Sequence, residues 1–174
     1  VLLMSAMWPS FSDIDFDALL DQYPKGLMEV FNVADMSTPI GFLNAEVFSL
    51  MLPIMFVVYA IGRGARLIGA EEEDGTMEVL ATTPITRRAL LVGKAGGLVT
   101  GVAALGAVLW ACTILSSLLF GLNIGLLDSL NGVVATTLLG IEFGLISLAA
   151  GAATGRRGLA VGIASGLAGA SYVL

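Results

Sequence analysis

Apolar and polar positions alternate along this chain in blocks much longer than the period of a strand or the face of one amphipathic helix. Between Ala95 and Asp128 no residue is charged, and between Asp128 and Arg156 only Glu142 is. A run of about 20 apolar residues matches the roughly 30 Å hydrocarbon core of a bilayer. The pattern therefore predicts helices that cross a membrane.

Taken in order, residues 1–8 read as the end of a preceding span, with Trp8 and Pro9 at an interface where tryptophan is enriched. Residues 9–38 are polar and acidic, and Phe16, Leu19, Leu20 and Tyr23 recur within them at helical spacing. Pro24 and Gly26 interrupt the pattern. Two short amphipathic helices on an extracytoplasmic membrane face fit it, and so does a partly ordered loop. Ser37 or Thr38 before Pro39 is a helix-start signal, opening a span over 39–66 that Pro53 is expected to kink. A polar hairpin covers 67–88, and further spans follow over 89–120, 130–153 and 158–174. The chain starts at Val1, and its last apolar run is cut at Leu174, so a fragment of a longer protein is expected.

Composition sharpens the membrane reading. Hydrophobic residues make up 57% of the chain and charged residues 13%, against about 25% charged in soluble domains. The single cysteine, Cys112, lies in an apolar span and offers no disulfide framework. Histidine is absent, which removes Ser-His and Cys-His nucleophile pairs and the commonest metal ligand. No metal site and no nucleic-acid partner are expected; the lipid bilayer is.

The basic residues predict orientation. Seven of the eight, Arg63, Arg66, Arg87, Arg88, Lys94, Arg156 and Arg157, fall in two connections separated by two spans. Basic connections stay cytoplasmic, which puts the 67–88 hairpin inside and the acidic 9–38 segment outside. Small residues recur every four positions at Gly93, Gly97 and Gly101, at Gly140 and Gly144, and at Gly158, Gly162, Gly166 and Ala170. Such stripes let helix backbones approach closely, in a tight bundle or at a subunit interface.

The hairpin carries the most concentrated chemistry. Glu71, Glu72, Glu73 and Asp74 are followed by Gly75, a helix stop. Thr76 can cap a new helix with Glu78 in its first turn, where the positive helix end favours an acid. That helix ends near Thr82, because Thr83-Pro84 starts another. Met77, Leu80 and Ala81 share one face of it. A two-turn helix cannot bury an apolar face alone, so either a partner covers it or the segment is a solvated loop.

The run "EEEDGTMEVLATTPITRRALLVGK" resembles the cytoplasmic loop of ABC transporter permeases of the type-2 export class. The features held in common are an acid triplet, Gly-Thr, an acid, a hydrophobic pair, Thr-Pro and an arginine. Here they fall at Glu71 to Glu73, Gly75-Thr76, Glu78, Val79-Leu80, Thr83-Pro84 and Arg87. The preceding "STPIGFLNAEVFSLMLPIMFVVYAIGRGAR" is similar to the second span of the copper-export and bacteriocin-immunity branch, and together the two stretches cover about a third of the chain. The resemblance implies an all-α, polytopic transmembrane bundle with a short cytoplasmic coupling helix, here a fragment of a six-span permease. It implies dimerisation with a second permease copy. It also implies a separate nucleotide-binding ATPase subunit that holds ATP and Mg, with no cofactor in this chain. Contacts to that subunit would come from Glu71, Glu72, Glu73, Gly75, Thr76, Met77, Glu78, Val79, Leu80, Pro84 and Arg87. Two of these features have other readings: the acids as helix-end solvation balancing Arg63 and Arg66, and Arg87 and Arg88 as topology anchors.

Gly93-Lys94 is the nearest approach to a P-loop, which needs glycine five residues earlier and Ser or Thr after the lysine. Arg88 and Ala95 stand there instead, so ATP hydrolysis and enzyme activity are not expected of this chain. Glu142 lies mid-span, where an ionised carboxylate costs about 2.5 kcal/mol or more. It reads either as a substrate or proton contact, or as a structural group, protonated or paired across helices. Asn44, Glu46 and Glu142 are the candidates for a translocation path. Two other functions stay open on these residues: an ion-coupled carrier using Glu142, and an intramembrane enzyme using Glu142 with Glu46.

Overall fold

The computed structural model describes residues 51–75, 86–120 and 126–173, and apart from short turns these are helical. Helix α1, Leu52–Glu73, is α-helical over Leu52–Ala65, passes through a π-helical turn over Arg66–Ala70 and closes with Glu71–Glu73. Helix α2 is Arg87–Phe120, α3 is Leu126–Thr154 and α4 is Arg157–Val173. At 34 residues α2 is about 50 Å long, well beyond the hydrocarbon thickness of a bilayer. Three of the helices, α1, α2 and α3, are long and apolar enough to cross a membrane. The part of the first span before Met51, the carbonyl that Pro53 would free, and the whole 9–38 segment lie outside the described residues.

The helix stop expected at Gly75 is found at the polar hairpin. Its first residues do not leave the helix: α1 continues to Glu73 before turning at Asp74 and Gly75. Gly75 adopts φ +69°, a left-handed geometry that glycine takes without the steric cost other residues meet. Gly155, with φ +63°, ends α3 in the same way. Thr86 caps α2, its hydroxyl accepting the Ala89 N–H at 3.2 Å.

The chain divides into two compact units. One comprises residues up to Pro53 together with Gly106–Thr136. In its described part Leu109, Thr113, Ser116, Ser129, Val133 and Thr136 are buried. The buried hydroxyls largely satisfy themselves on their own helix. Thr113 donates to Leu109 O at 3.0 Å, Ser116 to Cys112 O at 2.8 Å and Thr136 to Gly132 O at 2.9 Å. Such back-bonding lets a polar side chain sit in an apolar interior without a partner from another helix.

The other unit comprises Ile54–Leu105 and Thr137–Leu174. Small side chains are prominent in its interior, with Ala60, Ala65, Ala160 and Ala164 fully buried beside Val102, Leu98 and Leu148. Ile61, Phe143 and Ala164 form a cluster, packed around by Val57, Leu139, Ile146 and Val161. Other large apolar side chains point outward, with Val58 65% and Val92 69% exposed. Fully buried alanines between helices and exposed large apolar side chains suit a solvent of lipid tails, where helix contact is favoured by close approach and not by expulsion of water.

Glycine makes that approach possible between α1 and α3. A β-carbon on Gly64 would run into the carbonyl oxygen of Gly144 and lie 3.1 Å from Leu148 N. One on Gly144 would lie 3.1 Å from Ala60 Cβ and 3.2 Å from Leu98 Cδ2. Ser147 fastens the same contact by donating to Ile61 O at 2.9 Å. Of the three small-residue stripes in the sequence, Gly140 and Gly144 are therefore used within the chain. Gly93, Gly97, Gly101, Gly158, Gly162 and Gly166 meet nothing within 4 Å among the described residues.

Candidate functional site

The acid run ending α1 is where the described polar chemistry concentrates. Glu71 forms an ion pair with Lys94 of α2, and the same ammonium donates to the carbonyl of Leu67 in the π turn. Both side chains are partly shielded, Lys94 at 12% exposure and Glu71 at 32%. Glu73 reaches a different helix, its Oε1 accepting the Arg157 N–H at 3.0 Å. Arg157 opens α4, so this carboxylate satisfies one of the donors left free at a helix start and sits at its positive end. Glu72 lies against the α3–α4 turn, in the space a β-carbon on Gly155 would take.

Backbone packing brings these groups together. A β-carbon on Gly69 would lie 2.9 Å from Arg157 N and 3.1 Å from its Cα. One on Gly151 would stand 3.5 Å from Gly69 N and 3.7 Å from Ala65 O. The end of α1 is thus wedged between the last turn of α3 and the first turn of α4. Glycine at 69 leaves room for Glu73 to cap α4, and glycine at 155 leaves room for Glu72.

The consequence is a braced platform. α1 delivers the chain at Gly75 from an end tied to α2 by Lys94 and to α4 through Glu73. The chain returns at Thr86 and Arg87, both exposed, eight residues before Lys94 in the case of Thr86. Thr76, Met77, Glu78, Val79, Leu80 and Pro84, on which the expected coupling helix falls, lie outside the described residues. Among the acids proposed from sequence to face another protein, Glu71 and Glu73 already have partners in this chain. Lys94 and the Arg157 N–H are partners that no sequence pattern singled out, because they stand 23 and 84 residues away.

Glu142 is separate from this platform. It lies nine residues before Gly151, about 13 Å along the axis of α3. It does not turn into the core of its unit: it is exposed on α3, while its neighbour Phe143 is buried. Asn44 and Glu46 lie outside the described residues. A polar group that sequence reading missed is the indole N–H of Trp110, buried and without a hydrogen-bond partner among the described residues.

No curated protein and no solved structure matches the chain. The sequence pattern described as ABC-2 family transporter protein matches residues 13–174, nearly the whole chain and well beyond the hairpin that carries the resemblance. This all-helical, membrane-spanning chain belongs to the ABC-2 transporter family and is a permease component of an ABC transporter.

Proposed function

We propose that this permease works in an ATP-driven exporter of the cell membrane, paired with a second permease copy, and that residues 76–85 dock on the ATPase subunit. The observation that carries this reading is the platform at the end of α1. A short connection whose sequence carries the apolar residues Met77, Val79 and Leu80 leaves from Gly75 and returns at Thr86 and Arg87, close to a helix end braced on two other helices. Force applied to that connection reaches α1, α2 and α4 together, and does not dissipate in a loose loop. The basic residues around it support a cytoplasmic location, where ATP is available. Glu78 and Glu72, with Arg87, supply the charged rim of the docking face.

Reconstitution in liposomes tests the reading. The chain with its ATP-binding subunit is expected to hydrolyse ATP and to move at least one member of a panel of labelled lipids, peptides and dyes. The chain alone is expected to do neither. Flux through the chain alone, driven by an ion gradient, would remove the exporter reading and restore the carrier.

We place Glu142 on the translocation path of the assembled transporter. Facing lipid, an ionised carboxylate at mid-span costs about 2.5 kcal/mol or more, so its exposed position on α3 calls for a polar neighbour from outside this unit. Replacing Glu142 with Gln is expected to lower transport about tenfold, the effect of losing one charge-assisted contact, and to leave assembly with the ATPase unchanged. Unaltered flux in this variant takes Glu142 off the path.

A further inference from the structure

Helix α1 departs from regular α geometry over Arg66–Ala70, and a side chain from another helix stands at that departure. The Glu71 N–H that closes this stretch goes to Ile68 O, three residues back. The Lys94 ammonium donates to the Leu67 carbonyl and pairs with the Glu71 carboxylate, so it holds both edges of the π turn at once. Single π turns inside α-helices are rare and occur frequently at functional sites. Such a turn carries one extra residue. Converting it to α would rotate everything beyond it by about 100° and shift it by roughly 1.5 Å.

What lies beyond is Glu71–Gly75 and then the 76–85 connection. Lys94 belongs to α2, the helix in which that connection ends, so it ties the two ends of the connection to each other. We propose that Lys94 is a positioning residue: it holds the π turn and thereby sets the direction in which α1 presents residues 76–85. Its part in coupling rests on the docking role proposed above; its hold on the π turn does not.

Two measurements separate these. Hydrogen exchange on the full chain in lipid nanodiscs, without any ATPase, reads the hold itself. The Asp74 and Gly75 amides bond to Ala70 O and Glu72 O, just past the π turn. Lys94→Ala is expected to speed exchange over residues 70–75 about tenfold, and Lys94→Arg to leave it near wild type. Unchanged exchange in Lys94→Ala overturns the proposal. Should that variant fail to fold, Glu71→Gln keeps the side-chain volume and carries the same expectation.

The second measurement uses the complex with the ATPase subunit and spin labels at the exposed positions Val92 and Leu159, with Cys112 replaced by Ser. In wild type, ATP with vanadate is expected to shift the distance between the labels. In Lys94→Ala the shift is expected to vanish while co-purification persists, and in Lys94→Arg to return. A wild-type shift in Lys94→Ala overturns the positioning role. A wild-type chain that never assembles with an ATPase defeats the proposed function instead, and the exchange result stands independently of it.

Discussion

Replacing Gly64 with alanine is expected to destabilise the helical unit that contains it by about 2 kcal/mol or more. The added β-carbon meets the main-chain oxygen of Gly144 and, at 3.1 Å, the nitrogen of Leu148. Backbone atoms within helices cannot swing aside as the end of a side chain can, so α1 and α3 must separate. Separation also stretches the hydrogen bond from Ser147 to Ile61 O, worth about 0.6 kcal/mol in a membrane bundle. It further opens the contacts of Gly144 with Ala60 and Leu98. Gly62, two residues earlier, supplies the control. A β-carbon there meets nothing within 4 Å among the described residues, so Gly62→Ala should be neutral or stabilising by up to about 1 kcal/mol through helix propensity. Unfolding of the purified chain by titration with SDS compares the two. Equal midpoints for both variants would mean that the α1–α3 contact does not govern stability.

Replacing Leu80 with aspartate is expected to abolish co-purification with the ATPase subunit. A leucine that fills a groove on a partner contributes about 1.5–3 kcal/mol, and an unpaired carboxylate forced into the same groove adds a cost of its own. Together these weaken association about 100-fold or more. Leu80→Met keeps the volume and apolar character and should assemble normally. In sequence Leu80 falls between Gly75 and Thr86, apart from the residues of the described helices whose burial forms the core. Undiminished co-purification of Leu80→Asp would place the docking surface elsewhere on the chain.

The two variants probe different levels of one design. Gly64 concerns whether the helices stand close enough to move as a body. Leu80 concerns whether anything outside can move them. Between the two lies the platform of Glu71, Lys94, Glu73 and Arg157, where the end of α1 is joined to the starts of α2 and α4.

Much of this was legible in the residues alone, and the legible parts share a cause. Membrane helices announce themselves by the length of an uncharged run, as in 95–127, because the bilayer sets a length that no other environment requires. Gly75 could be read as a stop because its left-handed φ is a local property of one residue. The hairpin motif could be read because its residues are consecutive, and the family match over 13–174 agrees with the resemblance it carries.

Other features depend on which helices become neighbours, and local pattern is silent on that. The stripes at Gly93, Gly140 and Gly158 look alike in sequence, yet among the described residues only Gly140 and Gly144 of these glycines receive another helix. Gly64, which meets Gly144, carried a readable signal in the four-residue spacing of Ala60 and Gly64, but nothing marked α3 as its partner. The acid run read as a surface waiting for something outside. Tertiary packing gave Glu71 a lysine 23 residues away and Glu73 a helix start 84 residues away. Glu142 belongs with these, since mid-span depth follows from sequence whereas the exposed side of α3 does not. By itself the sequence determined that the chain is helical, membrane-embedded and a permease, because bilayer thickness, backbone geometry and a consecutive motif act over a few tens of residues at most. Only the tertiary structure decided which glycines touch and which acids brace the end of α1, because those contacts join residues whose nearness arises when separate helices pack.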